Sequence, residues 1–174
     1  VINNGPIYIT ARAESNGTAY IGGVFGNLTK STDVKNLKNT EKGVITVNAL
    51  PETYYLGGVI GRGDVKATFD NCDNSAALNI TATEKTRVAH VRVGGIMGFN
   101  DAASTFKNCD NTGDITLNTY SGIASDTGGH SYVHGITSAN DGNSNITLTS
   151  NSNIGDITSS LTCNKKFFSN IFNL

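Results

Sequence analysis

The sequence predicts an all-β protein, a parallel β-solenoid of about four three-strand repeats, and three observations carry that expectation. Thr, Asn, Gly, Val and Ile dominate the 174 residues and helix formers are scarce; β-branched side chains suit pleated surfaces, while Asn and Gly supply turns. The chain repeats itself with a drifting period of roughly 35–40 residues, the signature of a stacked array whose loops vary in length. Each repeat holds three short strand candidates separated by Gly- or Asn-rich corners.

The first block of the repeat is an apolar strand around a double glycine. It reads "YIGGVFG" from Tyr20, "YLGGVIG" from Tyr55 and "RVGGIMG" from Arg92, and in degenerate form "YVHGITS" from Tyr132. The second is "VKNLKN" from Val34, "FDNCDN" from Phe69, "FKNCDN" from Phe106 and "LTSNSN" from Leu148. The third is the most regular: "NNGPIYITA" from Asn3, "NTEKGVITVNA" from Asn39, "NSAALNITA" from Asn74, "NTGDITL" from Asn111 and "NIGDITS" from Asn153. A single repeat domain over 1–174 follows, with an opening strand in 3–19, repeats at about 20–54, 55–91, 92–131 and 132–163, and a C-terminal cap or linker at 164–174.

In a parallel solenoid each strand pairs with its counterpart about 4.8 Å away in the next coil, so equivalent residues form columns along the axis. Asn3, Asn39, Asn74, Asn111 and Asn153 are expected to form such a column, because Asn tolerates left-handed backbone at a corner and its amide can bond the Asn one coil away. In "VGGIMG" both alternating faces are apolar or small, so this strand is expected to be covered on both sides, its glycines admitting another backbone or a bend. The variable segments Thr81 to Arg92 and Asn118 to Ser131 are candidates for that cover. The stretch "ITATEKTRVAHVRV" also reads as a hairpin, which leaves a repeated antiparallel hairpin array as the alternative.

The pieces "GGVIG...FDNCDN...ALNIT" and "GGIMG...FKNCDNTGDIT" resemble the GLUG-type repeat of bacterial surface and secreted proteins, many from gut Bacteroides-like organisms. Gly57, Gly58 and Gly61 with Asn71 and Cys72, and Gly94, Gly95 and Gly98 with Asn108, Cys109 and Gly113, carry the likeness. It covers Tyr20 to Leu117 best. The last copy departs from it, with His134, Ser138 and Asn151 at positions where the pattern has glycines and cysteine. The resemblance implies an extracellular, cell-surface β-solenoid acting in adhesion, display or spacing, with possible host glycan, matrix or surface-protein partners. It brings no catalytic residues.

The search for chemistry gives the same expectation: no catalytic, cofactor-binding or metal-ligating residue, and no cofactor. Asp70, Asp73, Asp110, Asp114 and Asp156, with Arg62, Lys66 and Lys107, are the candidates for a carbohydrate-active site, the alternative function, or for calcium. They stand beside Asn and Gly in turns, where Asp serves local hydrogen bonding. "DNTGD" (Asp110 to Asp114) lacks the downstream glutamate and the helices of an EF-hand. His130 and His134 have a zinc-like spacing only on a helix, and "GGHSYVHG" reads as loop and strand. Cys72 and Cys109 share one repeat position and are expected to pack as reduced thiols, a disulfide being the alternative; Cys163 lies outside the pattern.

Thirteen basic and 14 acidic residues, scattered along the chain, leave no electrostatic footprint for nucleic acid. No apolar run reaches the roughly 20 residues that span a bilayer. The chain begins at Val1 without a basic-then-apolar leader, so any export signal is expected to have been removed or to lie outside it. The variable segments Thr10 to Ala19, Thr81 to Arg92 and Asn118 to Ser131 are the expected contact loops.

Overall fold

The computed structural model describes residues 1–10, 17–30, 33–48, 53–81, 90–120, 130–139, 146–162 and 165–169. They form a parallel β-solenoid, with no helix among them. Every pairing is parallel, which removes the hairpin alternative. Leu78–Thr81 has Ile45–Asn48 on one edge and Ile115–Tyr120 on the other, and His90–Gly94 is likewise paired on both edges. Neither strand has an edge left for the other.

Each full coil contains five strands where the sequence suggests three, because the first and second blocks each split at a corner. The ladder face stacks Ile2–Asn3, Lys38–Asn39, Asp73–Asn74, Asp110–Asn111 and Ser152–Asn153. The threonine face follows with Ile7–Thr10, Ile45–Asn48, Leu78–Thr81, Ile115–Tyr120 and Ile157–Thr162. Thr18–Gly22, Thr53–Gly57, His90–Gly94, His130–His134 and Lys165–Ser169 lead into the double glycine. Phe25–Leu28, Ile60–Gly63, Met97–Asn100 and Thr137–Ala139 lead out of it. Val34–Lys35, Thr68–Asp70, Ser104–Lys107 and Ile146–Thr149 complete the coil as the phenylalanine face. The expected C-terminal cap therefore contains Lys165–Ser169, a strand of the stack itself, in register with His130–His134.

The asparagine column exists as the repeat requires, with one correction. Asn3, Asn39, Asn74, Asn111 and Asn153 are in register, and each Nδ2 donates to the Oδ1 of the next, at 2.8, 2.9, 2.7 and 2.6 Å in turn. The left-handed backbone belongs instead to the residue three positions earlier: Asn36, Asn71, Asn108 and Ser150 have φ of 56°, 55°, 50° and 54°.

The double glycine is the deepest point of the coil. A methyl group on Gly58 would stand 2.2 Å from Asn74 Cγ and 2.2 Å from the Gly95 carbonyl oxygen, so the corner presses directly on the asparagine column. From there the two glycine-rich faces diverge back to back. A methyl on Gly98 would lie 2.5 Å from the backbone nitrogen of Leu56, and one on Gly61 2.5 Å from that of Ile21. The second cover of the lead-in strand is thus the lead-out strand; the middles of the variable segments proposed for that role lie outside the described residues.

This inward fold divides the interior into two cores. Ile45, Val47, Leu78, Ile80, Ile115 and Leu117 of the threonine face pack on Tyr54, Leu56, Val91, Val93 and Val133 of the lead-in face. Val59, Ile60, Ile96, Met97 and Ile136 pack on Val34, Phe69, Phe106, Cys72 and Cys109 of the opposite lobe, where the Phe69 and Phe106 rings stack at 4.8 Å. Burying an aliphatic or aromatic side chain contributes about 1.5–3 kcal/mol, so these columns, repeated in each coil, drive the stacking.

The degenerate last copy has a local explanation. Gly94 lies under the Ile136 carbonyl of the next coil, whereas His134 stands beside Thr137–Ala139, the outermost lead-out strand among the described residues. That strand shifts register against Met97–Asn100, and Ser138, buried there, donates its hydroxyl to Gly98 O at 2.6 Å.

Candidate binding surfaces

Where the lead-in and lead-out faces diverge, their mouth is filled by rings and guanidinium groups. Tyr20, Tyr55, Arg92 and Tyr132 occupy one register column of the lead-in face, and Arg62 and Phe99 are register partners on the lead-out face. Tyr20 stacks on Tyr55 at 5.7 Å, and Tyr55 on Phe99 at 4.8 Å. Arg92 lies 4.2 Å from the Phe99 ring centroid and 4.7 Å from that of Tyr132. Arg62 donates to the Tyr20 hydroxyl at 2.9 Å and pairs with Asp64 and Asp101. Burial pushes the Tyr55 phenol up, while the two guanidinium groups pull it the other way. Cation–π contacts of this kind contribute about 0.5–2 kcal/mol each, so the seam ties the two faces together where glycine leaves them without side chains.

The acids singled out in the sequence fall on separate faces. Asp70 is on the phenylalanine face and accepts from Asn108 Nδ2 at 3.1 Å. Asp73 and Asp110 are on the ladder face: Asp73 pairs with Lys38 at 2.8 Å, and Asp110 accepts from the backbone and hydroxyl of Ser152 at 3.0 and 2.7 Å. Asp114 caps the Asp156 backbone nitrogen at 2.9 Å. Arg62, in the seam, is paired with other carboxylates. These contacts run between adjacent coils, as the repeat positions imply.

Cys72 and Cys109 are buried, free thiols on consecutive coils, as expected of core packing. The adjoining Cys72 thiol, together with burial, holds Cys109 well above the ordinary thiol value. Cys163 lies outside the described residues. His130 and His134 sit at the two ends of one strand, not on the helix that their zinc-like spacing would need. Among the described residues no three His, Cys, Asp or Glu side chains cluster as a metal site.

An open groove of about 500 Å³ lies on the phenylalanine face, lined by Asp33, Lys66, Thr68, Ser104, Thr105 and Thr147, with Ala67 and Ala103 between them. A smaller hollow of about 280 Å³ surrounds Lys38, Thr40, Glu41, Asp73 and Ser75 on the ladder face. Sequence reasoning did not single out the seam or the groove, yet both leave a trace. The letter opening each double-glycine block is Tyr, Tyr, Arg, Tyr, and the residue preceding each second block is Asp, Thr, Thr, Thr. Register turns these letters into columns.

Comparison with protein-family models, with curated proteins and with solved structures finds no match in any of the three.

Proposed function

We propose that the chain is a non-catalytic repeat module of the GLUG type that serves adhesion, display or spacing at an extracellular bacterial surface, with a glycan or a surface protein as its partner. One observation carries this reading: the amides of the asparagine column and the carboxylates beside it are spent on the neighbouring coil. The asparagine column, the Lys38–Asp73 pair and the Asp110 and Asp114 contacts all hold the stack in register. Such a body supplies length and a repeating outer surface.

Attachment of the purified chain to immobilised glycans, matrix proteins and host cells tests adhesion, and protease shaving of intact producing cells tests surface display. Attachment together with loss of the protein on shaving supports the reading. Retention of the protein inside shaved cells contradicts the location, and depolymerisation of a polysaccharide by the purified chain would replace the module with the carbohydrate-active alternative.

A further inference from the structure

We propose that the groove on the phenylalanine face binds an extended, hydroxyl-rich, predominantly neutral glycan lying along the solenoid axis, with one sugar over each coil. This rests on the adhesion reading above and gives it a site and a ligand class. The groove's volume of about 500 Å³ lies within the roughly 300–1,000 Å³ of ligand-binding clefts. Its wall is a single register column: Thr68 pairs with Thr105 and Thr105 with Thr147. Their hydroxyls therefore recur about every 4.8 Å, close to the advance of one pyranose in an extended β-linked chain. Among the described residues none of these three hydroxyls makes a hydrogen bond, so each offers a donor and two lone pairs to a ligand.

The floor is fixed independently of any ligand. Ser104 Oγ donates to Val65 O at 3.2 Å and receives the Ala67 N–H at 3.4 Å, which locks consecutive coils beneath the threonines. Ala67 and Ala103 leave small apolar patches for the C–H faces of a sugar. Asp33 and Lys66 add one carboxylate and one ammonium at the end nearest the first coil.

The same geometry disfavours an extended peptide. A peptide binding by strand addition needs an unpaired backbone edge, whereas Thr68–Asp70 and Ser104–Lys107 are paired on both edges. What remains for recognition is a column of side-chain hydroxyls, the complement of a polyol rather than of a polypeptide backbone.

Affinity electrophoresis of the full chain tests the proposal, in gels containing hydroxyethyl cellulose, galactomannan, xylan or polygalacturonate. The expected result is retardation by at least one of the three neutral polymers, weakened at least tenfold in the triple variant T68V/T105V/T147V. Those substitutions keep shape and remove only hydroxyls; circular dichroism and the melting temperature verify the fold. The control T46V/T116V, on the threonine face, is expected to migrate as the unsubstituted chain does. Unchanged retardation of the triple variant would overturn the groove while leaving glycan adhesion standing. Absence of retardation by every polymer, with attachment to cells or matrix protein intact, would overturn the ligand class but not the module. Retardation by polygalacturonate alone would overturn the hydroxyl column as the reader in favour of Lys66.

Discussion

Two asparagine columns run up one corner of the molecule three residues apart, and they use the same side chain for different ends. Asn39, Asn74 and Asn111 are buried, at 1%, 0% and 0% exposure, with ordinary backbone geometry. Asn36, Asn71 and Asn108 have left-handed backbone, and the Asn71 amide meets Asn36 Oδ1 in the open. The inner column is chosen for what the amide bonds to, the outer for what the backbone tolerates. Asn74 shows the inner logic in full. Its Nδ2 donates to Asn111 Oδ1 and Ala76 O, and its Oδ1 accepts from Asn39 Nδ2 and the Ala76 N–H. Both donors and both lone pairs are used.

The strongest way to separate the columns is Asn74→Ala. It strands a donor on Asn39 and an acceptor on Asn111 in a dry interior, and with a cost of about 1–3 kcal/mol per orphaned group we expect about 3–5 kcal/mol of lost stability in urea denaturation. Next in size is an alkaline transition on the buried side of the corner. The Cys109 thiol, between the two columns, and the Tyr54 phenol, in the other core, are both held above their ordinary values of 9.0 and 10.0. The folded chain keeps these groups neutral while the unfolded chain ionises. Stability is therefore complete below pH 9 and falls as pH rises through the unfolded values. The melting temperature should drop across pH 9 to 11, and less steeply in Cys109→Ala once its lower starting stability is taken into account.

In the outer column, Asn71→Ala should cost about 1–2 kcal/mol, the penalty for a left-handed L-residue, whereas Asn71→Gly should stay within about 0.5 kcal/mol of the unsubstituted chain because glycine adopts that conformation freely. An equal loss in both would show that the Asn71–Asn36 amide contact, rather than backbone geometry, fixes the residue. The smallest effect is expected at Ser150, where φ is 54° without asparagine's tolerance; Ser150→Asn should raise stability by about 0.5 kcal/mol, read as a small upward shift of the melting temperature.

The repeat, the parallel stack and the inner column were legible because identical letters recur wherever identical groups touch. Five strands per coil were not. The ladder strand Asp73–Asn74 is two residues long, too short to show alternation, and the split at Gly57 and Gly58 hides in a run that is apolar on both faces. The left-handed corner was assigned to the wrong asparagine because either column satisfies the repeat, and only the backbone angle tells them apart. The seam was illegible for another reason. Arg62 and Tyr20 are 42 residues apart, and they meet only because the glycine corner turns the chain back on itself.

The amides of the inner column all point the same way. From Asn3 to Asn153 every bond between rungs runs from an Nδ2 to the Oδ1 of the later coil, so these bonds' dipoles add along the axis. The stack is directional, its carbonyls turned toward the Asn3 end and its N–H groups toward the Asn153 end. Growth of such a body is a one-way grammar. Whole coils can be inserted or removed between any two rungs without rewriting either neighbour, whereas an inverted coil would set carbonyl against carbonyl and fail to join.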